Sequence, residues 1–344
     1  MQSVQKMKSF HIQNGHGLAG IQAKEHPVPQ PGPQEVLIRI RANSLSFRDI
    51  SIMQGNYLLP VMPDVIAVSD GAGEVVQTGS EVTRTKPGDR VAVNMFPLWL
   101  EGQFTWEYAA QIGGSLNGLL TEYAVVHQNA VVTIPDHLSF EEAATLPCAA
   151  LTAWNALTSG KPLLPGQTIL TLGSGSVSIF AIQFARLFGA RVIATTSDDA
   201  KAERLKALGA HEVINYRTTP EWHKTVRQLT NGNGVDQVVE VAGTTLEQSI
   251  LSTTAGGQIN FIGRMGGDLQ PVQIGLLFMS GAHIRPIAVG NRAQFIAMNK
   301  AIAVNKLQPV IDRVFDFNNS IDAFAYLKAG NYFGKIVISH GNSL

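Results

Sequence analysis

The feature that most constrains this chain is an apolar strand that runs straight into two closely spaced glycines and then into a helical pattern. Thr168-Ile-Leu-Thr-Leu172 is followed by Gly173-Ser174-Gly175-Ser176-Val177-Ser178, and residues 177–188 carry helical periodicity. A strand without polar alternation has to be covered on both faces, which a parallel sheet between helices provides. The stretch beyond about residue 140 keeps that rhythm. Strands are expected at 169–172, 191–196, 235–241 and 258–262, with helices at 177–188, 199–208 and 246–253 between them. Alternation of this kind predicts an α/β fold with a doubly wound parallel sheet.

The glycine pattern, G-x-G-x-x-S, gives the loop a chemical reading. In a dinucleotide site the first glycine, Gly173, permits a tight turn, and the second, Gly175, lets the backbone approach a pyrophosphate. Ser174, Ser176 and Val177 then present the helix N-terminus to the negative charge. Ser178 stands where a third glycine or an alanine would allow close helix–strand packing. A plain strand–helix turn is the competing reading, and the strand–loop–helix context favours the cofactor. The next strand ends in Thr196-Ser197, with no acid at its tip to bond a ribose 2′-hydroxyl. Asp198 and Asp199 come just after it, and Lys201 and Arg204 follow on the next helix. A hydroxyl and cations suit a 2′-phosphate, hence NADPH, unless the two cations are simply a solvated helix face.

Residues 1–130 have a different texture. Short β-like runs such as Glu35-Val-Leu-Ile-Arg-Ile40 and Gly73-Glu-Val-Val76 alternate with turns such as Lys86-Pro-Gly-Asp89. An all-β barrel-like or sandwich unit is expected there. The tail returns to β texture and ends in the strand Lys335-Ile-Val-Ile338. The expected division is 1–132 with 305–344 returning to it, and 133–304 as the dinucleotide-binding domain.

Formal charge balances at 26 basic and 26 acidic residues, which argues against a nucleic-acid partner. Cys148 is the single cysteine, so neither an internal disulfide nor a four-cysteine zinc site can form. No secretory h-region and no apolar run of membrane-spanning length is visible, and the expected location is cytoplasmic.

The ordered set of motifs resembles the medium-chain dehydrogenase/reductase superfamily over nearly the whole chain. It comprises Pro29-Gln-Pro-Gly-Pro-Gln-Glu-Val-Leu-Ile-Arg-Ile40, Gly71-Ala-Gly-Glu-Val-Val76, Lys86-Pro-Gly-Asp-Arg-Val91, Leu146-Pro-Cys-Ala-Ala-Leu-Thr-Ala-Trp154, the glycine loop, Lys206-Ala-Leu-Gly-Ala210 and Phe333-Gly-Lys-Ile-Val-Ile338. Within it the chain is most similar to the zinc-independent, quinone-oxidoreductase-like branch. The resemblance implies a GroES-like β domain beside a Rossmann domain, and a homodimer. It also implies further cofactor contacts. Thr152 would lie near the nicotinamide, Tyr216 near the adenosine end, Ala242, Ile262 and Gly263 at strand ends, and Phe333-Gly334 over the cofactor.

Zinc members of the superfamily hold their metal with a Cys, a His-Glu pair and a second Cys or Asp. By resemblance Ser46 takes the first of these positions and Ser69-Asp70 the His-Glu position, while Cys148 keeps its type. Catalytic zinc typically needs about three protein ligands, so no metal is expected. His11, His16, His26 and His127 match no zinc spacing, and Cys148 reads as a small buried hydrophobe.

Without a Lewis acid, hydride acceptors that delocalise charge are favoured, namely quinones and α,β-unsaturated carbonyls. The candidate residues on the substrate side are Ser46, Asp49, Tyr57 and Ser69. A salt bridge to Arg48 or a turn bond is the plainer role for Asp49. Aromatic residues within 94–120 would line an apolar substrate cleft or pack the lobe. The competing functions are a metal-free alcohol or carbonyl dehydrogenase and a low-turnover NADPH-binding sensor or structural protein.

Overall fold

The computed structural model describes residues 5–263 and 271–341. The chain divides into two compact units, residues 1–151 with 290–344, and residues 152–289. These borders lie inside the expected ones at 132/133 and 304/305, for a packing reason. The short helix Phe140–Ala143 packs on the strands Glu35–Leu45 and Asp70–Thr78, and the helix Arg292–Asn305 packs on Val131–Thr133. Both helices therefore bury their apolar sides against the β unit.

The unit 152–289 is built on a six-stranded, wholly parallel sheet. Its strand order is Glu212–Asn215, Arg191–Thr196, Thr168–Leu172, Val235–Glu240, Thr253–Phe261 and His283–Pro286. The order reverses beside Thr168–Leu172, which is where the chain leaves for the helix Ser176–Leu187. Open α/β sheets bind their ligands outside such a reversal point. The expected apolar strand is buried from Ile169 to Leu172. Its helix buries Ile179, Phe180, Ala181 and Phe184, which is why the sequence pattern was readable there.

The other unit is mostly antiparallel. Seven strands form its larger sheet, in the order Ile311–Asp316, Lys335–Ser339, Glu35–Leu45, Asp70–Thr78, Arg90–Val93 and Val131–Thr133, with Tyr123–His127 also paired to Glu35–Leu45. A smaller sheet joins Ile21–Pro27, Lys6–Ile12 and Val65–Ile66. The tail strand Lys335–Ser339 pairs antiparallel with residues 42–45 of the long strand. Val36, Ile38 and Ile40 pack with Val75, Val91 and Leu119 in one core. Leu45 joins Ile52, Met53, Phe324 and Ile336 in another. One long strand thus feeds two cores, with the polar residues Ser44 near its C-terminal end and Ser46 just beyond it.

Candidate active site

Three strand ends meet at Ser46. Glu35–Leu45 delivers it, Asp70 opens a strand paired with Ser44, and Lys335 opens a strand whose next residue, Ile336, pairs with Leu45. Backbone pairing therefore brings together residues nearly 300 positions apart. Lys335 and Asp70 are both fully buried. The Lys335 ammonium donates to the Leu45 carbonyl at 2.8 Å, to Ser46 Oγ at 2.9 Å and to Asp70 Oδ2 at 3.2 Å. Ser44 Oγ shares its one hydrogen between Asp70 Oδ2 at 3.0 Å and the Ala144 carbonyl at 2.9 Å, and Ser69 Oγ donates to Asp70 Oδ1 at 3.2 Å. Ser46 Oγ reaches Asp70 Oδ2 at a longer 3.3 Å. A buried ion pair is tolerated only when its remaining lone pairs and protons are met, and here they are.

Ser46 is also the N-cap of the helix Phe47–Gln54. Its backbone N–H donates to Asp49 Oδ2 at 2.8 Å, and Arg48 lies 3.4 Å from Asp49 Oδ1. Asp49 thus has both plain roles considered for it, a turn bond and an ion pair. Burial pushes its carboxyl up to about 6, against the opposing pull of Arg48 and the Ser46 N–H. Tyr57 is half-buried; its hydroxyl accepts from Arg48 Nε at 3.3 Å, and the guanidinium lies 4.9 Å from its ring centroid. Arg48 is held further by Gln111 Oε1 at 2.6 Å and the Gly113 carbonyl at 3.0 Å. Cys148 is half-buried in a π-helical turn, and burial together with nearby Asp70 pushes its thiol up to about 12. A thiol of that pKa is inert as a nucleophile.

Phe96, Trp99 and Phe104 pack edge to face, so these aromatics fill the lobe, while Trp106 is 79% exposed. His11 and His26 bond to Ser9, as satisfied polar side chains do. Among the described residues no group of three or more His, Cys, Asp or Glu could hold a metal ion.

In the other unit the glycine turn joins the strand Thr168–Leu172 to the helix Ser176–Leu187. Gly173 has φ +73°, a conformation costly for any residue with a Cβ. Gly175 has φ −76° and caps the helix, and a Cβ built on it meets no protein atom within 4 Å. Among the described residues, nothing in the protein requires glycine at 175. Ser178 is buried and donates to the Leu172 carbonyl at 2.6 Å, so serine fits the close-packing position. At the tip of the next strand, Thr196 is buried and Ser197 half-buried. Asp198 turns its carboxylate onto the N–H groups of Ala200 and Lys201, and Asp199 accepts from Asn215 at 2.7 Å. Tyr216 lies beside this tip, because its N–H donates to the Thr196 carbonyl.

Ala242, Ile262 and Gly263 sit at neighbouring strand ends. The buried Glu240 shapes that turn by accepting from the N–H groups of Ala242 and Gly243, both at 2.9 Å, and from Thr245 and Ser249. Thr152 is buried at the start of its unit. Phe333 is buried in the other unit, where its N–H donates to Asp312; Gly334, at φ +96°, lies too close to the Val310 carbonyl for a side chain. Sequence reasoning missed Lys335, Ser44 and Glu240 as members of these sites. The one readable signal was a lysine at the head of an otherwise apolar strand.

Residues 32–136 match the family profile described as alcohol dehydrogenase GroES-like domain, and residues 176–303 match zinc-binding dehydrogenase. A zinc-type alcohol dehydrogenase-like protein of Schizosaccharomyces pombe is 40% identical over 333 residues, covering 94% of this chain and 96% of its own. The chain belongs to the medium-chain dehydrogenase/reductase superfamily. A quinone oxidoreductase of Pseudomonas aeruginosa is 31% identical, with 86% of this chain and 83% of that protein covered. The solved structure of a candidate alcohol dehydrogenase of Sinorhizobium meliloti superposes with a TM-score of 0.90 at 35% identity, over 98% of this chain and all of the other. This superfamily member is thus an oxidoreductase with the GroES-like and Rossmann-like parts of its relatives. No helix among its described residues is long and apolar enough to cross a membrane.

Proposed function

We propose that the chain is an NADPH-dependent reductase that delivers hydride to a quinone or an α,β-unsaturated carbonyl without a catalytic metal. The observation that carries this reading is the cation already seated at Ser46 and Asp70. By resemblance these are ligand positions in zinc relatives, yet here a serine hydroxyl and a carboxylate bond the Lys335 ammonium. Serine is a poor zinc ligand, and a positive charge 3.2 Å from Asp70 opposes a second one, so the donor set does not fit zinc. A conjugated acceptor needs less polarisation than an isolated carbonyl, and a hydroxyl donor can meet its developing oxyanion.

The glycine turn fits a dinucleotide, which when bound supplies the hydride. Gly173, Ser174, Gly175, Ser176 and Val177 would receive the pyrophosphate at the helix N-terminus. Preference for NADPH is supported at the strand tip, where Thr196 and Ser197 offer hydroxyls while Asp198 and Asp199 are engaged elsewhere. Lys201 follows on the helix, and Tyr216 stands beside the tip for the adenosine end. Thr152, Ala242, Ile262, Gly263, Phe333 and Gly334 complete the set by resemblance. In the β unit Ser46 and Ser69 are the substrate-side hydroxyls, and Asp49 and Tyr57 hold Arg48 in place. A second copy of the chain is the partner proposed for the edge strand His283–Pro286, beside a helix whose Ile274, Phe278 and Met279 are about four-fifths exposed.

The test is a rate panel on chelator-treated protein, with NADPH and NADH against quinones, enones, aldehydes and alcohols. Turnover should be fastest with NADPH and a conjugated acceptor, and Ser46→Ala should cut kcat by about 10²–10³-fold with little change in NADPH affinity. Efficient oxidation of ethanol-like alcohols by metal-free protein, or one zinc per chain lost together with activity, would overturn the assignment.

A further inference from the structure

Lys335 is the only lysine among the described residues that is fully buried, and its three hydrogens have three acceptors. An ammonium has three donors and no acceptor, so Lys335 has no proton left for a substrate. Its bond to Ser46 Oγ settles what Ser46 can do. The Ser46 oxygen accepts from the ammonium, which leaves its single hydrogen as the movable donor of the cluster. Within the cluster that hydrogen's acceptors are Asp70 Oδ2, a long 3.3 Å away and already taking a bond from Lys335, and the weakly accepting sulfur of Cys148. Long O–H···O contacts are weak, so a better acceptor can win the hydrogen. A hydroxyl that accepts from a cation is polarised, and the bond it then donates is strengthened.

We infer that Lys335 is a positioning residue for the reduction: it fixes the Ser46 oxygen and polarises its O–H toward the substrate oxygen on which negative charge develops. Asp70 in turn holds the ammonium, and Ser44 and Ser69 hold Asp70. The fixed positive charge of the site is thus one hydroxyl removed from the reacting molecule. No proton leaves Lys335; the dinucleotide would supply the hydride, the Ser46 hydrogen bond to the substrate shortens as the oxyanion forms, and water protonates the product. This inference rests on the reading of Ser46 given above.

The test uses the full-length protein and a cycle of Ser46→Ala, Lys335→Met and the double variant, read as single-turnover hydride transfer to a quinone at saturating NADPH. NADPH affinity and Tm are measured alongside. Lys335→Met should slow transfer by about tenfold or more, short of the 10²–10³ expected for the direct donor. The double variant should be no slower than Ser46→Ala, with NADPH Kd unchanged within about twofold, because the lysine acts only through the serine. Lys335→Arg keeps the charge and should recover part of the rate, which a residue that merely fills space would not require.

Because Lys335→Met strands a buried carboxylate, Lys335→Met with Asp70→Asn carries the same cycle if the single variant does not fold. Two independent, multiplying losses, or a full rate in the methionine variant while Ser46→Ala is slow, would overturn the inference and leave the Ser46 reading standing. A full rate in Ser46→Ala would remove that reading and this inference with it.

Discussion

The glycine turn and the Ser46 cluster are built in opposite ways. The turn occupies six consecutive residues, and the groups proposed to bind there are backbone N–H groups aimed by one helix. The cluster draws Ser44, Ser46, Asp70 and Lys335 from three strands, and its working groups are side chains aimed by hydrogen bonds to one another. A backbone site tolerates changes of side chain as long as nothing protrudes from it. A side-chain cluster fails when any member is removed, because each leaves a buried partner unmet. The two regions should therefore respond to mutation in different measurements, the first in ligand affinity with stability intact, the second in stability and turnover with cofactor affinity intact.

The largest expected effect tests the second half of that contrast. Asp70→Ala leaves the Lys335 ammonium buried with only a carbonyl and a hydroxyl. Breaking a buried pair in this way typically costs about 3–5 kcal/mol. A large fall in chemical-denaturation midpoint is expected, and a loss under about 1 kcal/mol would mean that water reaches the lysine. The next effect tests the first half. Gly175→Val places a side chain where no protein atom lies within 4 Å, at an ordinary φ of −76°. Tm should stay within a degree or two, while NADPH affinity falls by about 100-fold, or roughly 2.7 kcal/mol. Equal losses in Tm and affinity would make the glycine a packing requirement instead.

That asymmetry also explains what could be read from the sequence. The parallel sheet, its helices and the glycine turn were legible because their determinants are local: an apolar strand, two glycines at fixed spacing, a helical period. Ser46 and Asp70 came into view by resemblance, as places where ligands were missing. What stands at those places was not legible, since Lys335 reaches them only through the pairing of the last strand with residues 42–45. Glu240 was hidden for a related reason. An acid at the end of an apolar strand gives no sign that it will fold back onto the N–H groups of Ala242 and Gly243.

A smaller effect is expected at the strand tip, where the backbone site acquires side-chain selectivity. Lys201→Ala should weaken NADPH binding by about tenfold, since a charge-assisted phosphate contact is worth roughly 1.5–3 kcal/mol. NADH binding should barely change. Equal losses for both cofactors would place Lys201 on the solvated helix face and return the selectivity to Thr196 and Ser197.

The smallest effect concerns the titration of Asp49, the carboxylate that accepts from the Ser46 N–H. Burial outweighs Arg48 at Asp49 and holds its carboxyl up at about 6, above the 3.8 of an ordinary aspartate. A group whose folded pKa is raised binds its proton more tightly in the folded state. Its contribution to stability is then complete below about pH 4 and is lost as pH rises through 6. Asparagine has no such proton to lose and still offers an oxygen to the Ser46 N–H. The Tm of Asp49→Asn should therefore gain on that of the wild type between pH 4 and 6, by on the order of 1–3 °C for a chain of this size, and run parallel to it above pH 7. A difference that stays flat from pH 4 to 8 would mean that Arg48 keeps Asp49 ionised throughout.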